Sequence, residues 1–72
     1  MKYELWQKEA GVLLISEDTK TANVNEYNGL TGDGYVKVLE EEIPTEDDAV
    51  LWMNAYVASK KVVDIDGIDH FA

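Results

Sequence analysis

The side chains best equipped for chemistry in this sequence are carboxylates. Glu40-Glu41-Glu42 and Glu46-Asp47-Asp48 stand on either side of Pro44, and Asp64-Ile65-Asp66-Gly67-Ile68-Asp69 adds a second oxygen-rich run. Paired acids can transfer protons, hold a hard cation or act as a charged surface. Proton transfer of the glycosidase kind needs two carboxylates across a substrate cleft, which a chain of 72 residues rarely encloses. Calcium would suit the spacing of Asp64–Asp69, but the register fails. A calcium loop of the EF-hand type has glycine sixth and a closing Glu twelfth. With Gly67 sixth the loop starts at Val62, and the sequence ends at Ala72 before a twelfth-position acid. His70 is the single histidine and there is no cysteine, so neither a nucleophile–base pair nor a histidine-rich metal site can be assembled. The glycines Gly29, Gly32 and Gly34 lack the spacing and the following Lys-Ser/Thr of a phosphate-binding loop. No catalytic, metal-binding or cofactor-binding residue is assigned, and the expectation is a protein that is not an enzyme.

Charge itself is the remaining use of the acids. Fifteen Asp and Glu face six lysines, with no arginine, for a net charge of −9. Free nucleic acid and anionic membranes need cationic contacts, so both are poor partners. Basic protein surfaces are good ones. Glu40, Glu41, Glu42, Glu46, Asp47 and Asp48 gather at one corner, where closely spaced charges can imitate a duplex backbone carrying one charge per about 1.7 Å. Small acidic phage inhibitors of CRISPR and restriction systems act by such mimicry, although no motif links this chain to them. Solubility alone also accounts for the excess of acids.

The elements that must position these residues follow from pattern. Pro44–Lys61 carries the strongest helical signal: Thr45 is an N-cap, Glu46, Asp47 and Asp48 fill the first turn, and Lys60 and Lys61 the last. Pro44 keeps Ile43 out of the α region, so the helix starts no earlier. Ala49, Trp52, Met53 and Tyr56 form a core-facing stripe flanked by Val50 and Val57. The opposite line, Asp47, Leu51, Asn54, Ala58 and Lys61, still carries Leu51 and Ala58. Either the segment Glu17–Gly34 covers that line, or it is a protein contact with a second copy or another partner.

Lys2–Lys8 alternates, with Tyr3 and Leu5 on one face and Glu4 and Trp6 on the other. Glu9-Ala10-Gly11 interrupts it, with Gly11 free to take a positive φ. Val12–Ile15 then reads as a strand covered on both faces, completing a hairpin. Glu17–Gly34 reads as a long loop, with a helical turn near Thr21–Tyr27 that points Val24 and Tyr27 inward, and with turns at Asn28-Gly29 and Asp33-Gly34. Tyr35–Ile43 is a strand with Tyr35, Lys37, Leu39, Glu41 and Ile43 on one face. Val62–Ile65 supplies a last short strand, and Ile68 and Phe71 pack back on the core.

The opening Tyr3-Glu4-Leu5-Trp6, the hairpin after it and a strand leading into an acidic helix start resemble a small group of uncharacterised bacterial proteins that begin with the same string. That resemblance implies a small antiparallel sheet with a helix on it, and carries no functional residue across.

The sequence therefore predicts one α+β domain over residues 1–72: an antiparallel sheet of three or four strands with one long helix packed on one face. With 46% hydrophobic residues the chain is composed to fold. It shows no secretory signal and no apolar run long enough for a bilayer, so a cytoplasmic location is expected. The function expected is protein interaction, by homodimer formation or partner binding through the Leu51 surface, or by nucleic-acid mimicry through the acidic corner.

Overall fold

A computed structural model describes residues 1–9, 11–60 and 63–64 of the chain. Strands β1 (Lys2–Lys8) and β2 (Gly11–Ser16) form the expected hairpin. Helices α1 (Glu17–Ala22) and α2 (Val24–Gly29) follow, then β3 (Val36–Glu42), α3 (Glu46–Lys60) and a two-residue β4 (Val63–Asp64). The sheet order is β3-β1-β2-β4. The three longer strands pair antiparallel, and β4 joins β2 in parallel. Because β3 and β4 both run antiparallel to β1, α3 carries the chain from one edge across the hairpin to the other.

Alternation in β1 and β2 splits the core into two layers. Tyr3, Leu5, Val12 and Leu14 pack with Ile43, Ala49 and Met53 under α3, bordered by half-buried Trp52, Tyr56, Val50 and Val57. Trp6, Leu13 and Ile15 pack on the other face with Leu30, Tyr27 and Tyr35. Val12–Ile15 is thus buried on both sides, as an uninterrupted apolar run requires. The α3 stripe is placed as its spacing predicts.

Glu17–Gly34 departs from the long loop expected. Ser16 caps α1 by accepting the Thr19 N–H at 3.1 Å, with Glu17 and Asp18 in the first turn. Both helices are too short to hold alone; Tyr27 and Leu30 secure α2 to the sheet, and Lys20 of α1 reaches Glu4 at 3.6 Å. This layer lies on the face opposite α3, so it does not cover the outer line of that helix. Tyr27 packs inward as expected. Val24 does not, and stands 50% exposed.

Among the described residues, positive φ occurs at two turns. Glu9, at φ 53°, takes it in the hairpin. Gly34, at φ 98°, closes a Schellman arrangement in which Tyr35 N–H donates to the Leu30 carbonyl at 3.0 Å and Gly34 N–H to Thr31 at 3.1 Å. The Asp33-Gly34 signal is borne out there.

One face assignment in β3 is corrected. The pairing steps from Leu5 opposite Leu39 to Trp6 opposite Lys37, leaving Val38 as an extra residue in a bulge. Val38 joins the α3 layer, while Lys37 turns to the same face as Glu40 instead of sharing one with Leu39 and Glu41. Strict alternation cannot foresee the inserted residue.

At the start of α3, Thr45 Oγ1 accepts the Asp48 N–H at 3.1 Å. Thr45→Ala removes that acceptor and should destabilise the domain by about 0.5–2 kcal/mol, read as a lower urea midpoint with an unchanged slope. An unaltered midpoint would mean the first turn stands without its cap.

Candidate functional site

The six acids of the corner are all exposed, but they do not act as one group. Glu40 and Glu42 are compensated: Glu40 pairs with Lys37 at 2.8 Å and Lys2 at 3.4 Å, and Glu42 pairs with the Met1 ammonium at 3.0 Å. The same ammonium donates to the Ile43 carbonyl, and Ile43 N–H returns a bond to the Met1 carbonyl, so the chain start is stitched to this corner. Glu41, Glu46, Asp47 and Asp48 have no cation within ion-pair distance among the described residues. The uncompensated charge therefore sits at the α3 start and on Glu41, which pairs across from Tyr3.

The most deeply buried carboxylate among the described residues lies elsewhere. Glu4, on the central strand, is only 4% exposed. Its Oε1 accepts from Trp6 Nε1 at 2.8 Å and from Tyr27 Oη at 2.9 Å. Its Oε2 faces Lys20 Nζ at 3.6 Å and Lys37 Nζ at 4.0 Å. Lys20 also lies 4.9 Å from the centre of the Tyr27 ring, and that ring meets Trp6 edge-on at 5.6 Å. Strand β1, helices α1 and α2, and strand β3 each contribute a side chain to this cluster. The pattern of β1 placed Glu4 beside Trp6, but nothing local announced that α1 and α2 would cover them.

The surroundings shift several groups. Burial, then the hydrogen bond to Glu4, pushes the Tyr27 phenol above its ordinary value. Lys20 is raised, first by the charge Tyr27 gains on ionising and then by Glu4. The hydrogen bond between Lys37 and Glu40 raises the ammonium and lowers the carboxyl. All four groups therefore hold their ordinary charge states at neutral pH, as in a structural clasp.

The outer line of α3 is bare. Leu51 is 65% exposed, and Asp47, Asn54 and Ala58 beside it are exposed as well. Among the described residues, no group of three or more His, Cys, Asp and Glu side chains is placed to hold a metal ion, and no helix is long and apolar enough to cross a membrane. The calcium-like run beyond Asp64, together with Lys61, His70, Ile68 and Phe71, lies outside the described residues.

Glu4→Ala strands the Trp6 N–H in a buried position and removes the counter-charge of Lys20. The expected loss is about 1–3 kcal/mol, read as a lower denaturation midpoint; no loss would mean water replaces the carboxylate. Lys37→Met should return the Glu40 carboxyl upward toward its ordinary value in an NMR titration. The Glu40 pair stabilises the fold above the unfolded-state pKa, and that contribution fades as pH falls through the lowered folded value. A Glu40 titration identical in the two proteins would show that Lys37 does not hold it.

Compared with models of known protein families, with curated proteins and with solved structures, the chain finds no match.

Proposed function

We propose that this chain is a non-enzymatic protein-interaction domain of the cytoplasm, and that its contact surface is the outer face of α3. The observation that carries the reading is Leu51, exposed in mid-helix while both short helices are committed to the opposite face of the sheet. No segment among the described residues covers it. The occupant is a second copy or another protein, and the reading assigns no catalytic residue, metal or cofactor.

A separate observation favours a second reading, the acidic mimic that blocks a nucleic-acid-binding protein. Glu4 and Glu40 draw Lys2, Lys20 and Lys37 to one face. Glu41, Glu46, Asp47 and Asp48 are left uncompensated, as a surface presented to a cationic channel would be.

One experiment separates the two. Association of the chain with itself, by sedimentation, and with proteins of source-cell extract, by capture, is compared for wild type, Leu51→Lys and a variant with Glu41, Glu46, Asp47 and Asp48 all changed to Lys. Burial of a leucine is worth about 1.5–3 kcal/mol, so Leu51→Lys should weaken a helix-face contact about tenfold or more. Mimicry instead predicts that Leu51→Lys binds normally and that the charge reversal abolishes binding. It also predicts that wild-type binding fades with salt, since exposed charges are screened beyond about 10 Å at 0.1 M. Circular dichroism must accompany the reversal, which opposes the α3 dipole. Association untouched by Leu51→Lys rejects the helix-face reading.

A further inference from the structure

We infer that the strip of β3 left open beside α3 is a ledge that receives a basic amphipathic helix of another protein. The ledge is separate from the outer face of α3, and the inference does not need Leu51 to be a contact.

The ledge follows from how far α3 reaches. The helix lies nearest β2 and β4. Its cover extends to β1, where Tyr3 and Leu5 are buried, and stops short of β3. Leu39 and Glu41 pair with Leu5 and Tyr3, and Val36 with Gln7, so all three point to the α3 side. They stay open there, with Val36 62% and Leu39 39% exposed and Glu41 exposed as well. The wall above this floor is one flank of the helix, Asp48, Trp52 and Tyr56, at successive steps of four. Tyr56 identifies the flank, because its hydroxyl donates to Gln7 of β1 at 2.6 Å. Trp52 and Tyr56 are each half-buried.

Floor and wall change character in the same direction. Helix α3 returns antiparallel to β3, so its first turn lies toward Glu41 and Tyr56 lies toward Val36, both meeting Gln7. One end of the ledge therefore carries the acids Glu41 and Asp48, which have no cation within ion-pair distance among the described residues. The other end carries Val36, Leu39, Trp52 and Tyr56.

A matching occupant has an apolar stripe and cations at one end. Strand steps of about 3.3 Å make the floor roughly 17 Å long, or about three helical turns. A helix also needs nothing from the outer backbone of β3, whose step at Val38 mismatches a paired strand. A second copy is a poor match, since it too carries −9. So is the chain's own end: residues 65–72 follow β4, at the far edge of the sheet, and include Asp66 and Asp69.

The probe is a synthetic helix of about 12 residues with leucines on one face and lysines elsewhere. Two controls replace its leucines by serine or its lysines by glutamate. Each is titrated into the isotope-labelled chain and followed by NMR. The leucine–lysine peptide should shift the amides of Val36 and Leu39 and the indole of Trp52. Serine for leucine should weaken it about tenfold or more, through lost apolar burial. Glutamate for lysine should abolish binding. Val36→Thr with Leu39→Thr keeps strand propensity and should weaken the peptide about fivefold or more. If circular dichroism shows that the pair unfolds, Val36→Thr alone, at a mostly exposed position, must still show a loss.

Shifts that avoid β3, or full binding by Val36→Thr, overturn the inference. A serine peptide as tight as the leucine one overturns it too, and assigns the binding to charge alone. Shifts centred on Leu51 move the seat to the outer face of α3. Two measurements without peptide test the other occupants. Val36 and Leu39 amides that move on dilution would place a second copy on the ledge. Broadening of the same amides by a spin label on Ala72→Cys, in a chain with no other thiol, would place its own end there. Either result overturns the inference.

Discussion

A carboxylate in the central strand sets how this small chain divides its surface. A buried acid needs hydrogen bonds and counter-charge, because removal from water costs several kcal/mol per ion. Glu4 obtains the first from Trp6 and Tyr27 and the second from Lys20 and Lys37. Meeting that need draws α1 and α2 to one face of the sheet and turns Lys37 of β3 toward the same face. It also gathers cations there, since Glu40 shares Lys37 and adds Lys2. The opposite side keeps α3, whose acidic first turn has no cation near it among the described residues.

The second constraint is material. A sheet whose second strand is apolar at every interior position needs cover on both faces. The described residues supply one helix of useful length and two that hold only by tertiary contact. Ala49 and Met53 are fully committed to the sheet, and Trp52, Tyr56, Val50 and Val57 close the flanks of that layer. Among the described residues, none covers the far side of α3 at Leu51. The Tyr56 hydroxyl, donating to Gln7 at 2.6 Å, ties the later turns of the helix to the central strand.

Much of this was legible in the sequence. The hairpin, the α3 stripe, the Thr45 cap and the Asp33-Gly34 turn each rest on signals within a few residues. The faces of β1 were readable for the same reason. Glu17–Gly34 was not, because its anchors, Tyr27 and Leu30, are separated in sequence from the strands they meet. A local pattern of Thr and Asn reads as loop whether or not a distant Trp6 lies ready to receive a tyrosine. The acidic corner was visible as a run of six, but its division into compensated and free charges was not. That division depends on a bulge and on the position of the chain start.

The bulge at Val38 has a wider effect than turning Lys37 toward Glu40. Strand β3 is a sheet edge, seven residues long, with Val36 62% exposed at its start. Such an edge is a template on which foreign strands can grow. A strand laid along β3 must match its irregular step and accommodate Lys37, Glu40, Glu41 and Glu42, so pairing cannot propagate in register past the middle. Open-ended stacking of sheets, the aggregation route nearest to hand for a small β-rich chain, is obstructed at this edge. The outer backbone of β3 is thereby a poor seat for a further strand.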